Sequence, residues 1–449
     1  MGMKIYIEDK IIVIKFRDEE EEKLTKDHFT FDNAAYAFVG GTFDQRKIKK
    51  VCFLKKKNEF YLLGSGFLYD LLNFVKENDF LVNEFKDNRS GPIREFHDTE
   101  YLMYFPKKFK YIEHQLESLK KMTKTTWGII EAPTSSGKSE TIIAYLRLMK
   151  LPALILVNRI SLAMQLADRM TDNGIENVGL CYGGAFKNGD VVVSTIGSVK
   201  KIPDLHKFKV LIIDEVHRAQ SKQFQDFLSK APYPLRFGFS ATPDSGDKYK
   251  WALIRQYMGD IIYRVEADML VEKEVIALPK IKFIQSQCVP TTNWPDANDQ
   301  CIVGNDFRNN SIRAIINKHM LPTLVLIRNI EHGEKLRDII PGSVFVSGID
   351  NALTRKEVIE DFENGELEVI ISSNIFNEGI SINAIKVLII ASGGKSKIET
   401  IQKLGRGLRI TEDKKEVFVY DFEDEGNRFT ERHSHIRKKI YQKIGFEVK

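Results

Sequence analysis

Residues 131–140 read EAPTSSGKSE, and their order could hold a phosphate. Small and hydroxyl residues end in Gly137, Lys138 and Ser139, the close of the pattern G-x-x-x-x-G-K-[ST]. The pattern asks for glycine where this chain has Ala132, and Ser135 stands where many such loops carry another glycine. Ala132 is small enough for a close backbone approach. Backbone N–H groups of such a loop, with the helix that follows, cradle a phosphate. Lys138 would then reach the β- and γ-phosphates of ATP, and the Ser139 hydroxyl would help hold Mg²⁺. Thr134, Ser135, Ser136, Gly137 and Glu140 complete the expected nucleotide-binding stretch. A second group is VLIIDEVH, residues 210–217, an apolar run ending in two acids. Asp214 at a strand end can hold Mg²⁺ through water, and Glu215 can polarise an attacking water. Two acids there could simply cap the next helix; the lysine-bearing loop upstream favours chemistry.

Those side chains need a scaffold that brings distant segments to one edge. WGIIEAP, ALILVN, VVVST, VLIIDE and RFGFSAT are short apolar runs ending in small or polar residues, and helical patterns separate them. Such runs predict strands of a parallel sheet buried on both faces. Ligands bind beyond the carboxyl ends of such strands. The texture restarts after about residue 270 with IKFIQSQ, TLVLIRN, SVFVSG, EVIISSN, KVLIIAS and EVFVYDF. Before both lies a third block, with KIYIEDKIIVIKF, KVCFLKKK and EFYLLG as short strands and FLYDLLNFVKEN as a helix. CVPTTNWPDANDQCIVGND, with two prolines, reads as an insertion loop.

The chain of 449 residues is 43% hydrophobic and 29% charged, ordinary for a globular protein of two or three domains. Cys52, Cys181, Cys288 and Cys301 form no C-x-x-C pair, which fits buried thiols in a reducing cytoplasm. No apolar run has membrane-spanning length, so no membrane partner is expected. The net charge of +5 is unevenly spread: residues 44–59 alone sum to +5, through Arg46, Lys47, Lys49, Lys50, Lys55, Lys56 and Lys57. That patch suggests a polyanion partner; a solvated hairpin face is the other reading.

Together these motifs resemble the superfamily 2 helicases and translocases. Asp214-Glu215-Val216-His217 is similar to the family's second motif, Ser240-Ala241-Thr242 to its third and QKLGRGLR, residues 402–409, to its sixth. Gln115 stands where the family has an adenine-reading glutamine. The loop form Pro-Thr-Ser-x-Gly-Lys-Ser resembles that of phage UvsW-type helicases, and DEVH resembles the related XPB branch. The resemblance covers about residues 108–415. It implies ATP and Mg²⁺ as cofactors, with Arg406 and Arg409 meeting the γ-phosphate and Gln402 beside them. It implies that His217, Ser240, Thr242 and Gly379 couple hydrolysis to movement. It also implies backbone contacts to nucleic acid through Arg159, Ser194 and Thr195, then Arg328, Ser347, Ser373 and Asn374. Ser381 after Gly379-Ile380 departs from the DEAD-box pattern and argues against that RNA-helicase branch.

The fold class expected is therefore α/β: two tandem RecA-like lobes, parallel sheets flanked by helices, preceded by a small N-terminal α/β domain. The expected boundaries are 1–105 for a DNA-binding domain, then 106–275 and 276–449 for the lobes. The function expected is an ATP-dependent DNA helicase remodelling branched or forked duplex as a monomeric cytoplasmic motor in bacteria or a phage-infected host. Lys49, Lys50, Lys55, Lys56 and Lys57 would grip the DNA. A duplex translocase without strand separation, or an RNA helicase, stays open at this stage.

Overall fold

The computed structural model describes residues 2–39, 42–43, 45–91, 96–105, 113–133, 136–231, 233–266, 270, 276–373, 382–395, 414–443 and 446–448. The five apolar runs of the first lobe are strands, and they lie side by side in one sheet. Their order is Val191–Thr195, Ala153–Val157, Val210–Asp214, Leu235–Ser240, Trp127–Glu131, all parallel. Every residue of Ala153–Val157 and of Leu235–Ser240 is buried, as a sheet covered on both faces requires. The sheet reaches eight strands by adding Val178–Tyr182, the antiparallel edge strand Ala185–Lys187 and, at the far side, Ile261–Arg264. Because the five central strands are parallel, their carboxyl ends share one edge.

The N-terminal block is a five-stranded sheet in the order Lys55–Lys57, Phe60–Gly64, Ile11–Lys15, Met3–Ile7, Val82–Asp87. Alternate residues of Met3–Ile7 are buried, the period of a sheet packed on one face. Asp18 caps the helix Glu19–His28 by accepting from the Glu21 N–H at 3.0 Å. Glu19, Glu20, Glu21 and Glu22 thus sit in the first turn, where the helix dipole favours anions. The basic segment does not form one hairpin. Lys49–Cys52 pairs with Thr30–Asn33, whereas Lys55–Lys57 pairs with Phe60–Gly64.

This block and the eight-stranded sheet form a single compact unit, Met1–Ala132 with Gly137–Arg264. Trp127 and Ala252 lie in the same apolar cluster as Met3, Ile5, Phe67 and Leu71. Arg236, fully enclosed on the strand Leu235–Ser240, donates through Nη2 to the Asp9 carbonyl at 2.6 Å and to Ser65 Oγ at 2.8 Å. Its guanidinium stacks on Trp127 at 4.9 Å, and Arg89 lies 4.8 Å from the same ring. Burial pushes the Arg236 guanidinium down to about 10, still charged at neutral pH. Arg255 pairs with Asp70 of the N-terminal block at 3.0 Å and with Asp260 at 2.6 Å.

The second unit is Val265–Lys449 together with Pro133–Ser136. Its sheet has six parallel strands in the order Leu278–Gln287, Glu416–Glu425, Val387–Ile390, Thr323–Leu326, Val369–Ser372, Ser343–Val346. The helix Arg428–Lys443 closes onto Glu416–Glu425 through Arg437, whose guanidinium meets the Asp421 carboxylate at 2.8 and 2.9 Å. The expected insertion loop is instead folded and packed. Asn293 caps the helix Trp294–Asn298, and Asn305 caps the helix Asp306–His319. Ala297 in the first of these helices, and Cys301, Ile302 and Val303 between the two, are buried. Asn427 holds the start of the segment, donating to the Val289 carbonyl at 2.7 Å and to Thr291 Oγ1 at 2.9 Å. The prolines and polar caps gave the stretch a loop-like composition, yet Ala297, Cys301, Ile302 and Val303 are buried.

Candidate nucleotide site and nucleic-acid edge

Trp127–Glu131 runs into the loop, and the helix Lys138–Met149 leaves it. Gly137 sits at φ 80°, ψ 34°, the left-handed region that glycine enters without strain. A Cβ there would also strike the Gln115 amide. Gln115, buried on the helix Glu113–Thr123, donates through Nε2 to the Gly137 carbonyl at 3.4 Å, so it borders the loop from outside. No side chain caps the helix at Gly137, which leaves a helix N-terminus of the kind that binds anions. Lys138 Nζ lies 3.3 Å from the Ala132 carbonyl and so folds back over the loop. Ser136 is buried, and Ser139 is half-buried beside Lys138. Glu140 is held by an ion pair with Arg169, a residue the sequence did not single out. A glycine-shaped cradle, an uncapped helix start, a lysine, and a hydroxyl and carboxylate for a cation fit a magnesium nucleotide.

Asp214 ends its strand and accepts the Glu215 N–H at 3.1 Å. Glu215 adopts φ 54°, ψ 54°, an uncommon conformation for a residue with a Cβ; such strain concentrates at functional sites. Four groups then converge. His217 Nδ1 lies 3.0 Å from Ser240 Oγ and 3.3 Å from Glu215 Oε2. Ser240 Oγ donates to Glu215 Oε2 at 3.3 Å and accepts the Thr242 N–H at 3.1 Å. The Thr242 Oγ1 hydroxyl is buried without a hydrogen-bond partner among the described residues. Burial and the neighbouring Glu215 charge raise the Asp214 carboxyl above its ordinary value. Burial acts on Glu215 too, but the His217 hydrogen bond and the Lys138 charge outweigh it and hold that carboxyl down. Glu215 is thus the more acidic of the pair and stays ionised at neutral pH, the state a base requires.

The other expected contacts fall at the same carboxyl edges. In the first unit Arg159 precedes the helix Ile160–Asp172, and Thr195 Oγ1 donates to Ser198 Oγ at 3.1 Å. Ser194 is fully buried, and its hydroxyl donates to the Thr195 carbonyl at 3.0 Å. In the second unit Arg328 is exposed just past Thr323–Leu326, while Ser347 and Ser373 follow Ser343–Val346 and Val369–Ser372. These three strands are neighbours, so Arg328, Ser373 and Ser347 line one edge. Both serines are buried at their side chains. Lys49, Lys50, Lys55, Lys56 and Lys57 are all exposed on the N-terminal block, and Lys56 Nζ lies 5.4 Å from the Tyr61 ring. Thr134, Ser135, Asn374, Gly379, Gln402, Arg406 and Arg409 lie outside the described residues. No helix among the described residues is long and apolar enough to cross a membrane.

Comparison with known proteins places the chain among helicases. Residues 104–245 match the family described as "Type III restriction enzyme, res subunit", and residues 322–411 match "Helicase conserved C-terminal domain". A protein named DNA 3'-5' translocase XPB2, from Sulfurisphaera tokodaii, is 25% identical over 362 residues, 70% of this chain and 81% of that protein. The ATP-dependent DNA helicase uvsW of Enterobacteria phage T4 is 29% identical over 332 residues, 66% of this chain and 65% of that protein. Among solved structures, S. cerevisiae Dbp5 bound to RNA and ADP BeF3 superposes with a TM-score of 0.54 at 16% identity, covering 78% of this chain and 92% of that one. That last likeness is one of fold, the tandem RecA-like architecture.

Proposed function

Because the chain belongs to the superfamily 2 helicases, we propose that it is an ATP-driven DNA helicase that remodels branched DNA, by branch migration and fork regression in replication and recombination. The observation that carries the motor reading is the meeting of Glu215, His217, Ser240 and Thr242 at the carboxyl edge of the strands next to the loop that begins the helix at Lys138. Residues 106–275 and 276–449 serve as the two motor lobes in this reading, and residues 1–105 as the DNA-binding block.

Bound ATP with its Mg²⁺ supplies the scissile phosphoanhydride and the charge that the loop neutralises. Gly137 lets the backbone approach, and the helix N-terminus and Lys138 offset negative charge. Ser139 and Asp214 are the residues to hold the metal. Glu215, kept ionised by His217, accepts the proton of the attacking water. Arg406 and Arg409 stabilise charge as it builds on the γ-phosphate; arginines in that role contribute roughly 10³–10⁵ in rate. Gln115 and Gln402 border the nucleotide, with Thr134, Ser135, Ser136 and Glu140 in the loop. Ser240 hydrogen-bonds His217, Glu215 and the Thr242 backbone together, so a change at the base reaches the next loop directly; Gly379 plays the matching part in the second lobe.

DNA as substrate rests on the named DNA activities of the two relatives and on the exposed lysines of the N-terminal block. Arg159, Thr195, Arg328 and Asn374 hold backbone phosphates without reading sequence; Ser347 and Ser373, buried and with their N–H groups bonded within the protein, shape that edge from inside, and Ser194 supports Thr195 in the same way. A duplex translocase without strand separation is the second reading, favoured by the restriction-subunit match over residues 104–245 and by the translocase name of the archaeal relative. The test is ATP hydrolysis without polymer, then with single-stranded DNA, linear duplex, a four-way junction and structured RNA. Strongest stimulation by the junction supports the proposal. Equal stimulation by any duplex favours the translocase, and stimulation by RNA alone overturns DNA as substrate.

A further inference from the structure

Phosphates call for cations and hydroxyls, yet the carboxyl edge of the second sheet also presents bare hydrocarbon. The edge strand Ser343–Val346 turns into the helix Ala352–Glu363 through residues 347–351. The turn holds itself: the Ser347 N–H donates to Asp350 Oδ2 at 2.6 Å, and the Ile349 N–H donates to Ser347 Oγ at 3.3 Å. Asn351 then caps the helix, accepting the Thr354 N–H at 2.9 Å. The outcome is an Ile349 that is 81% exposed and, four residues on, a Leu353 that is 66% exposed. Single exposed apolar residues are common on any surface. Here two lie four residues apart, one on an ordered turn and one in the first turn of the helix it leads into, at the sheet edge that carries Arg328, where Ile330 is a further 42% exposed.

The first unit repeats the combination independently. After Ala153–Val157 the chain reads NRIS, with Arg159 followed by Ile160 and, one helical turn on, Met164, both 44% exposed. After Thr323–Leu326 it reads IRNI. Each parallel sheet thus sets a cation beside exposed hydrocarbon at the same end of its strands. A phosphate backbone alone gives hydrocarbon nothing to touch, whereas sugars and the faces of unstacked bases do. Apolar side chains inserted at base steps are how proteins part or kink a duplex, and base contacts of this kind tolerate any sequence.

We propose that Ile349 and Leu353 form an apolar wedge against the unstacked bases of a DNA strand whose phosphates Arg328 holds. The proposal rests on the helicase reading above and deepens it, because a wedge serves strand separation and not hydrolysis. The test uses the full chain carrying Ile349→Gln with Leu353→Gln; both side chains are exposed, so the fold does not depend on them. Ile349→Leu with Leu353→Ile serves as the conservative control. The probes are forked DNA with a fluorescent strand for unwinding, and the same fork with 2-aminopurine at the junction for unstacking without hydrolysis. The glutamine pair is expected to lose about tenfold in unwinding. It should also lose the 2-aminopurine signal, keep DNA-stimulated ATP turnover within about twofold, and regain unwinding in the conservative pair. Unwinding equal to the native protein, or turnover falling in parallel with unwinding, overturns the wedge. If the native protein itself hydrolyses ATP on DNA without parting strands, the helicase reading fails first and the wedge with it. If the native protein unwinds and the glutamine pair unwinds equally, the wedge alone fails.

Discussion

Replacing Ser240 by alanine removes one oxygen from a fully buried place, and the structure lets the loss be worked through. A hydroxyl has one proton to donate and two lone pairs to accept with. Ser240 donates to Glu215, accepts the Thr242 N–H and has His217 Nδ1 at 3.0 Å, so its capacity is fully used. In Ser240→Ala the His217 ring nitrogen still has Glu215 at 3.3 Å. The Thr242 N–H loses its partner, at about 1–3 kcal/mol for a buried donor, and Glu215 loses a hydrogen bond to an ionised acceptor, about 1.5–3 kcal/mol. These overlap in one network, so a loss of about 2–4 kcal/mol in unfolding free energy is expected from urea denaturation. In turnover assays Glu215 keeps His217, so basal hydrolysis should survive within about tenfold. The yield of strand movement per ATP should fall further, because the link to the loop at Thr242 is cut. A stability change below about 0.5 kcal/mol together with an unchanged ratio of unwinding to hydrolysis would falsify the network account.

Glu215→Gln should lower DNA-stimulated hydrolysis by about 10²–10⁴ while filter-binding affinity for DNA stays near native; near-normal turnover removes Glu215 as the base. Neutralising Lys49, Lys50, Lys55, Lys56 and Lys57 together should flatten the dependence of junction affinity on salt, by up to about 0.9 in slope for each DNA phosphate no longer neutralised. An unchanged slope moves the DNA grip elsewhere. Asp70 lies 3.0 Å from both His28 and Arg255. Burial raises its carboxyl, but the His28 hydrogen bond and the Arg255 charge more than offset this and leave it lowered. Its contribution is therefore full above the ordinary aspartate value near 4 and is lost as pH falls through the lower folded value. Asp70→Asn should cost about 1–2 kcal/mol at pH 7, with the gap in urea midpoints narrowing toward about pH 3; a gap of constant size refutes the linkage.

The central strands were legible because a parallel sheet buried on both faces leaves continuous apolar runs, and ALILV and VLIID have no other good explanation. The loop at Lys138 and the acids at Asp214 and Glu215 were legible because their chemistry fixes both residue type and local spacing. What stayed hidden depends on partners far along the chain. Arg236 breaks an apolar strand, which signals something, but its acceptors are the Asp9 carbonyl and Ser65 Oγ, and no local pattern names them. The lysines read as one hairpin face because they are close in sequence; their strands pair with different partners. The packed segment around Cys301 read as a loop because its two prolines and two asparagine caps are spread among its few buried residues. Ile349 carries no signal in sequence at all, since only the turn's own hydrogen bonds show that it faces outward.

The Arg236 clamp also bears on how the chain is made. Ser65 and Arg236 are 171 residues apart, yet they close the same buried contact. At synthesis rates of about 5–20 residues per second, the ribosome needs roughly 10–30 s between them. During that interval the first sheet has emerged, but Trp127, Ala252 and the guanidinium that complete its core have not all arrived. Its apolar face stays open to solvent, or to whatever shields nascent chains, until the later strand is delivered. An N-terminal fragment expressed alone should be arrested in that state, so the first hundred residues of this helicase behave less like a module fitted to an engine than like a part cast in the same piece.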